Sequence, residues 1–132
     1  MKFLNTFALL FVLTVLPVSA ELVTDPETGL RTGTITVNGA TYNIRPGANL
    51  IGANLSNADL SGANLENARL SDARLISANL SGANLSNCQL YRTICDRADL
   101  SEANLYGVRL SYTRFIDADL SGVTSGLSLI HI

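Results

Sequence analysis

Apolar residues return at every fifth position from Ala48 to Gly122, without a slip over 75 residues. The phrase opens as Ala48-Asn-Leu-Ile-Gly52, continues as Ala53-Asn-Leu-Ser-Asn57 and closes as Ala118-Asp-Leu-Ser-Gly122. Of the 15 pentads, thirteen carry Leu at the centre, with Cys95 and Phe115 in the other two. Two positions earlier stands Ala in eleven, with Cys88, Thr93, Val108 and Thr113 elsewhere. A helix turns by about 100° per residue, so leucines five apart would wander round its whole surface. A flat strand would throw them alternately to both sides. Only a chain that bends once per pentad keeps each Leu inside, with small Ala leaving room for the backbone near the bend. The predicted core therefore includes Leu55, Leu60, Leu80, Leu100 and Phe115.

The phrase A-(D/N)-L-x-x resembles the signature of the pentapeptide-repeat family, and the resemblance covers 75 of 132 residues. It implies an all-β chain: a right-handed quadrilateral parallel β-helix with four pentads per coil, stabilised by stacking. A weaker repeat at twenty residues agrees. Ala58-Asp-Leu-Ser-Gly62, Ala78-Asn-Leu-Ser-Gly82, Ala98-Asp-Leu-Ser-Glu102 and Ala118-Asp-Leu-Ser-Gly122 are near copies.

Outside the repeat, residues 1–20 read as a secretory signal peptide. Lys2 is the positive region, Phe3 to Leu16 the apolar run, and Val18-Ser-Ala20 the small-residue cleavage site. The run is short for a membrane span. The mature chain is then expected in the periplasm, a thylakoid lumen or the extracellular space, with no stable membrane span. In residues 21–47, Thr34-Ile-Thr-Val37 and Ala40-Thr-Tyr-Asn-Ile44 flank Asn38-Gly39, a strong hairpin signal. A two-residue turn pairs Val37 with Ala40 and Ile35 with Tyr42. A solenoid end exposes apolar interior and an unpaired edge, so this hairpin is expected to cap it. Residues 123–132 read as an irregular tail, truncated or non-native, and are assigned no role.

Charge sorts by face. With the faces of Leu70, Leu75, Leu80 and Leu85 taken as first to fourth, Arg69, Arg92 and Arg109 fall on the first and Arg74, Arg97 and Arg114 on the second. These six arginines meet three acids, Asp72, Asp96 and Asp117, a balance of +3. The third and fourth faces carry Asp59, Asp99, Glu102, Asp119 and Glu66 without a base, a balance of −5. Rungs stack about 4.8 Å apart, so Asp72 should meet Arg92, Arg97 should meet Asp117, and Arg92 should cover Tyr112 as a cation–π pair. Such pairs also serve simply to soften like-charge stacking on an exposed wall. On the second face Ile76, Ile94 and Ile116 point outward among Arg74, Arg97 and Arg114, a candidate docking patch for a protein or an anionic surface. The third face aligns Asp59, Asn79, Asp99 and Asp119, too few oxygens for a calcium site. The fourth aligns Asn64, Asn84 and Asn104 as an amide ladder.

Cys88 and Cys95 take inward positions on one coil, where a disulfide and two buried packing thiols are both open readings. Thr93 and Thr113 point inward too, and each hydroxyl needs a backbone acceptor. Catalysis finds no support: the single His, His131, lies in the tail, and no Cys/His cluster has metal spacing. No cofactor, metal or nucleic acid is expected. The leading reading is a non-enzymatic, exported structural or protein-interaction module with an unidentified protein partner. The family resemblance supplies a rival, the DNA mimic that shields gyrase. That role needs a long acidic rod, and fifteen pentads make one of only about 18 Å.

Overall fold

The computed structural model describes residues 21–126. The signal peptide read over 1–20 and the tail from 127, with His131, lie outside the described residues. Three strands come first: β1 (Glu21–Thr24), β2 (Arg31–Val37) and β3 (Ala40–Ile44), antiparallel in the order β1-β2-β3. The hairpin has the expected register, with Val37 opposite Ala40 and Ile35 opposite Tyr42. Asn38 and Gly39 both take positive φ, 50° and 80°, as a tight hairpin turn requires. The polar lead does more than the sequence suggested, because β1 adds a third strand. The Asp25 carboxylate folds its turn by accepting from Glu27 N at 2.8 Å and Thr28 N at 2.9 Å. Gly33 lets β1 approach β2, since a Cβ there would lie 1.9 Å from the Glu21 carbonyl oxygen.

From Ala48 onward each pentad makes the same bend. The Ala N–H donates to the preceding Leu carbonyl, as Ala53 N does to Leu50 O at 3.1 Å. The residue before that Ala is left-handed in all fifteen cases, Gly52 through Gly122, with φ between 55° and 69°. Parallel bridges join residues twenty apart: Asn54 to Arg74, Arg74 to Ile94, Ile94 to Arg114, and likewise on the other faces. Four pentads therefore make one coil. Neighbouring coils exchange backbone hydrogen bonds on every side, for example Leu55 N to Arg74 O at 2.8 Å and Arg74 N to Ala53 O at 2.9 Å. On the fourth face two short strands, β4 (Asn104–Leu105) and β5 (Thr124–Ser125), pair in parallel, so the ladder runs past Gly122. No helix occurs among the described residues.

Leu55, Leu60, Leu80 and Leu100 are fully buried, as expected. Phe115 is only half-buried, like Leu110, Leu120 and Val123, because these residues line the last described coil. Polar residues in the Ala position follow one rule. Cys88 Sγ, Thr93 Oγ1 and Thr113 Oγ1 donate to the carbonyls of Leu65, Leu70 and Leu90, at 2.8, 2.7 and 2.6 Å, each 23 residues back. Each hydroxyl thus has its acceptor. The Cys88–Cys95 disulfide is not formed: both thiols are free and buried, and Cys88 is turned to the Leu65 carbonyl. Burial pushes both thiols up to about 12.

The three-stranded sheet is continuous with the solenoid. Arg31 bridges Ala63 in parallel, receives a bond from Asn64 N and gives one to Gly62 O, both at 2.7 Å. It occupies the place of a missing rung on the fourth face. Ile35 and Ile44 are buried with the first coil, and the Tyr42 hydroxyl accepts from Asn54 N at 3.3 Å.

Candidate functional site

The second position of the pentad decides what each wall can do. Asn or Asp occupies it at 49, 54, 59, 64, 79, 84, 99, 104 and 119. In every case its Oδ1 accepts the N–H two residues on, from 2.9 Å at Ser101 to 3.5 Å at Ile51. This Asx turn clamps the bend that follows. At Asp59, Asn79 and Asp99 the same oxygen also accepts the hydroxyl of Ser61, Ser81 and Ser101. The third-face carboxylates are thereby committed to their own turns. The Ser61 hydroxyl and N–H hold the Asp59 carboxyl below its ordinary range, and the Ser121 N–H does so for Asp119. On the fourth face Asn84 Nδ2 donates to Asn64 Oδ1 at 3.4 Å and Asn104 Nδ2 to Asn84 Oδ1 at 3.2 Å, which is the expected ladder.

The first and second faces abandon this clamp after their opening rung. Column one reads Asn49, Arg69, Gln89, Arg109, and column two Asn54, Arg74, Ile94, Arg114. Three successive second positions on each of two adjacent faces, six in all, thus carry side chains that cannot clamp the bend. Up to Gly122 the third and fourth faces lose none. Local stability is given up here, and long cationic, amide and branched side chains are displayed instead.

The ion pairs divide the arginines. Arg92 binds Asp72 on the preceding coil, Nε to Oδ1 at 2.7 Å, as expected. That bond draws its guanidinium away from Tyr112, so the expected stack forms instead with neighbouring Tyr91, 5.2 Å from the ring centroid. Tyr112 meets Tyr91 edge-on at 5.6 Å. Arg97 does not pair with Asp117; both are left-handed turn residues at a corner, and the ion pair on this face joins Arg114 to Asp96. The Asp96 side chain is 13% exposed, and the Arg114 hydrogen bonds hold its carboxyl below the ordinary range. Arg69, Arg74, Arg97 and Arg109 form no ion pair among the described residues.

The docking patch is brought together in part. Arg74, Ile94 and Arg114 stack in one column, with Ile76, Ile116 and Arg97 along the following corner. Ile76 and Ile94 are half-buried, whereas Ile116 is 56% exposed. Two residues not singled out from sequence, Gln89 and Tyr91, extend it, and so does Tyr112, expected only as a partner of Arg92; both tyrosines lie on the corner joining the two faces, Tyr112 81% exposed. The run of missing Asn and Asp at the second position was the available signal. A shallow cavity of about 230 Å³ lies elsewhere, at the hairpin junction, between Tyr42, Asn43, Arg45 and Asn49.

The family model for pentapeptide repeats (8 copies) matches residues 48–87 and 83–122. No curated protein matches the chain. Among solved structures, the chain is similar to a pentapeptide repeat protein of the Arabidopsis thaliana thylakoid lumen, at 22% identity and a TM-score of 0.59. That match covers 64% of this chain and 57% of the Arabidopsis protein. A second similarity is to Rfr23 from the cyanobacterium Cyanothece 51142: 30% identity, 80% of this chain, 78% of that one, TM-score 0.38. A third is to QnrB1, a plasmid-mediated fluoroquinolone resistance protein: 21% identity, 76% of this chain, 47% of that one, TM-score 0.39.

Proposed function

The chain belongs to the pentapeptide-repeat family, and from that premise we propose that it is an exported, non-enzymatic interaction module. It is a short right-handed quadrilateral β-helix, closed at its N-terminal end by the hairpin sheet. Its contact surface is the first and second faces, centred on Arg74, Ile76, Ile94, Arg97, Arg114 and Ile116. The observation that carries this reading is the loss of six Asx clamps, three on each of those two faces, while the other two faces keep theirs up to Gly122. A wall selected only to stack would keep them. A rigid column also holds its side chains at fixed spacing, so little order has to be gained on binding. Export rests on the apolar leader and small-residue cleavage site read in residues 1–20.

The test is affinity capture from the compartment in which the protein resides, with wild type against R74E/R97E/R109E. These arginines are free of ion pairs, so the triple variant should melt as wild type does and lose its protein partner. A partner retained by the folded variant would refute the contact surface. Full-length, uncleaved protein in the cytosol would refute export. The DNA-mimic reading is weaker, because a rod of about four rungs spans only about 19 Å and two of its walls are cationic. Protection of gyrase in a supercoiling assay would reinstate it.

A further inference from the structure

We propose that the first and second faces also seat the protein on an anionic lipid surface, an inference that rests on their being the contact walls. The molecule is electrically two-sided. Six arginines and three aspartates lie on these faces, while the opposite two hold Asp59, Glu66, Asp99, Glu102 and Asp119 against a single cation, Arg31, which lies 3.7 Å from Asp59. Above a negatively charged plane such a body turns its basic side down and its acidic side away.

Three observations suit this side to a bilayer. Each wall is flat, built from rungs in strict register, Arg69 to Gln89 to Arg109 on the first and Arg74 to Ile94 to Arg114 on the second. The exposed groups at the corners, Tyr91 and Tyr112 between the two walls and Ile116 beyond the second, suit the headgroup boundary, where tyrosine sits with its hydroxyl in water and a branched aliphatic chain reaches the acyl region. The unpaired Arg69, Arg74, Arg97 and Arg109 supply the attraction, and each is free to bind a lipid phosphate without breaking an internal ion pair. The protein would lie on the surface and not cross it, consistent with the lack of a membrane-spanning helix among the described residues.

The test is flotation of the full chain with two kinds of vesicle, phosphatidylcholine alone and phosphatidylcholine with about one-third phosphatidylglycerol, at low salt and at about 0.5 M salt. Wild type should partition onto the anionic vesicles at least tenfold better than onto neutral ones and lose that preference at high salt. Each arginine neutralised should weaken the anionic preference about fivefold, so R74E/R97E/R109E should abolish it. I116S should weaken binding to anionic vesicles a few-fold at both salt concentrations, while the arginines set the salt dependence. The apolar leader is common to all variants, so it cannot create a difference between them. Equal flotation of wild type and the triple variant on anionic vesicles, or equal flotation of wild type on both vesicle types, would overturn the proposal. Affinity capture from a membrane-free extract reports separately on the protein partner, so the two readings fail independently.

Discussion

Arg114 folds back across one coil onto Asp96, with its Nε 3.1 Å from Asp96 Oδ2, while the Ile116 N–H donates to Asp96 Oδ1 at 3.2 Å. The carboxylate therefore ties a side chain and a backbone group of the following coil to its own. Its pKa is lowered mainly by the Arg114 hydrogen bonds. A depressed carboxylate stabilises the fold fully above its unfolded pKa, and the contribution fades as pH falls through the lower folded value. D96N should be less stable than wild type at neutral pH, and the difference should shrink below about pH 4. Urea denaturation at a series of pH values measures it; a pH-independent difference would contradict the assignment.

Thr93 donates to the Leu70 carbonyl from a fully buried position. That carbonyl also accepts the Ala73 N–H at 3.0 Å, so removing the hydroxyl does not orphan it. T93V, which keeps the shape, should cost about 1 kcal/mol, near the net worth of one hydrogen bond. T113V should cost less, because Thr113 lies half-buried in the last described coil. Chemical denaturation of both variants ranks them.

Much of this was legible in the sequence, and the reason is that a five-residue period leaves the backbone few options. The inward leucines, the coil of twenty, the hairpin register, the Asp72–Arg92 pair and the Asn64–Asn84–Asn104 ladder all follow from position within the repeat. What escaped depended on where long side chains go once they leave the wall. Arg92 turns to Tyr91 because Asp72 holds it, and the pair on the second face joins Arg114 to Asp96, while Arg97 and Asp117 stay apart as left-handed corner residues. Periodicity gives neighbours and not rotamers. The Asx clamp was missed for another reason: the second position was read only as outward, although its short side chain bends back to the turn.

The residue closing each pentad is left-handed whatever its identity. Ser77 holds φ 55° with a side chain that makes no hydrogen bond, whereas Gly52 holds φ 68° with open space around a hypothetical Cβ. An L-residue there costs about 1–2 kcal/mol, and glycine loses about 0.5–1 kcal/mol of extra chain entropy on folding. Ser77→Gly should therefore gain up to about 1 kcal/mol, and Gly52→Ala should lose a similar amount. Thermal melts of the two variants should move in opposite directions.

Cys88 and Cys95 are buried with pKa values pushed up to about 12, so almost no thiolate is present at neutral pH. Both should resist a thiol-specific reagent in the native protein and react together on unfolding, releasing two equivalents. Rapid labelling of either in the native state, or fewer than two thiols after denaturation without reductant, would contradict the burial or the free state.

The last prediction joins stability to binding. If Arg74 and Arg109 stand where an Asx clamp was given up for surface chemistry, then restoring the clamp should reverse the trade. In R74N and R109N the new Oδ1 would accept the N–H of Ile76 and Ser111, as Asn54 Oδ1 does from Ser56 at 3.3 Å one coil earlier. Neither arginine has an ion pair to lose. Each substitution should stabilise the fold by about 0.5–1 kcal/mol, the usual net gain from one such hydrogen bond, and the pair should add because they lie on different faces. The same double variant should bind the partner or the anionic vesicle more weakly. Gains in stability with unchanged binding would mean that the bare second positions are tolerated, not used; losses in both would mean that the arginines support the coil itself.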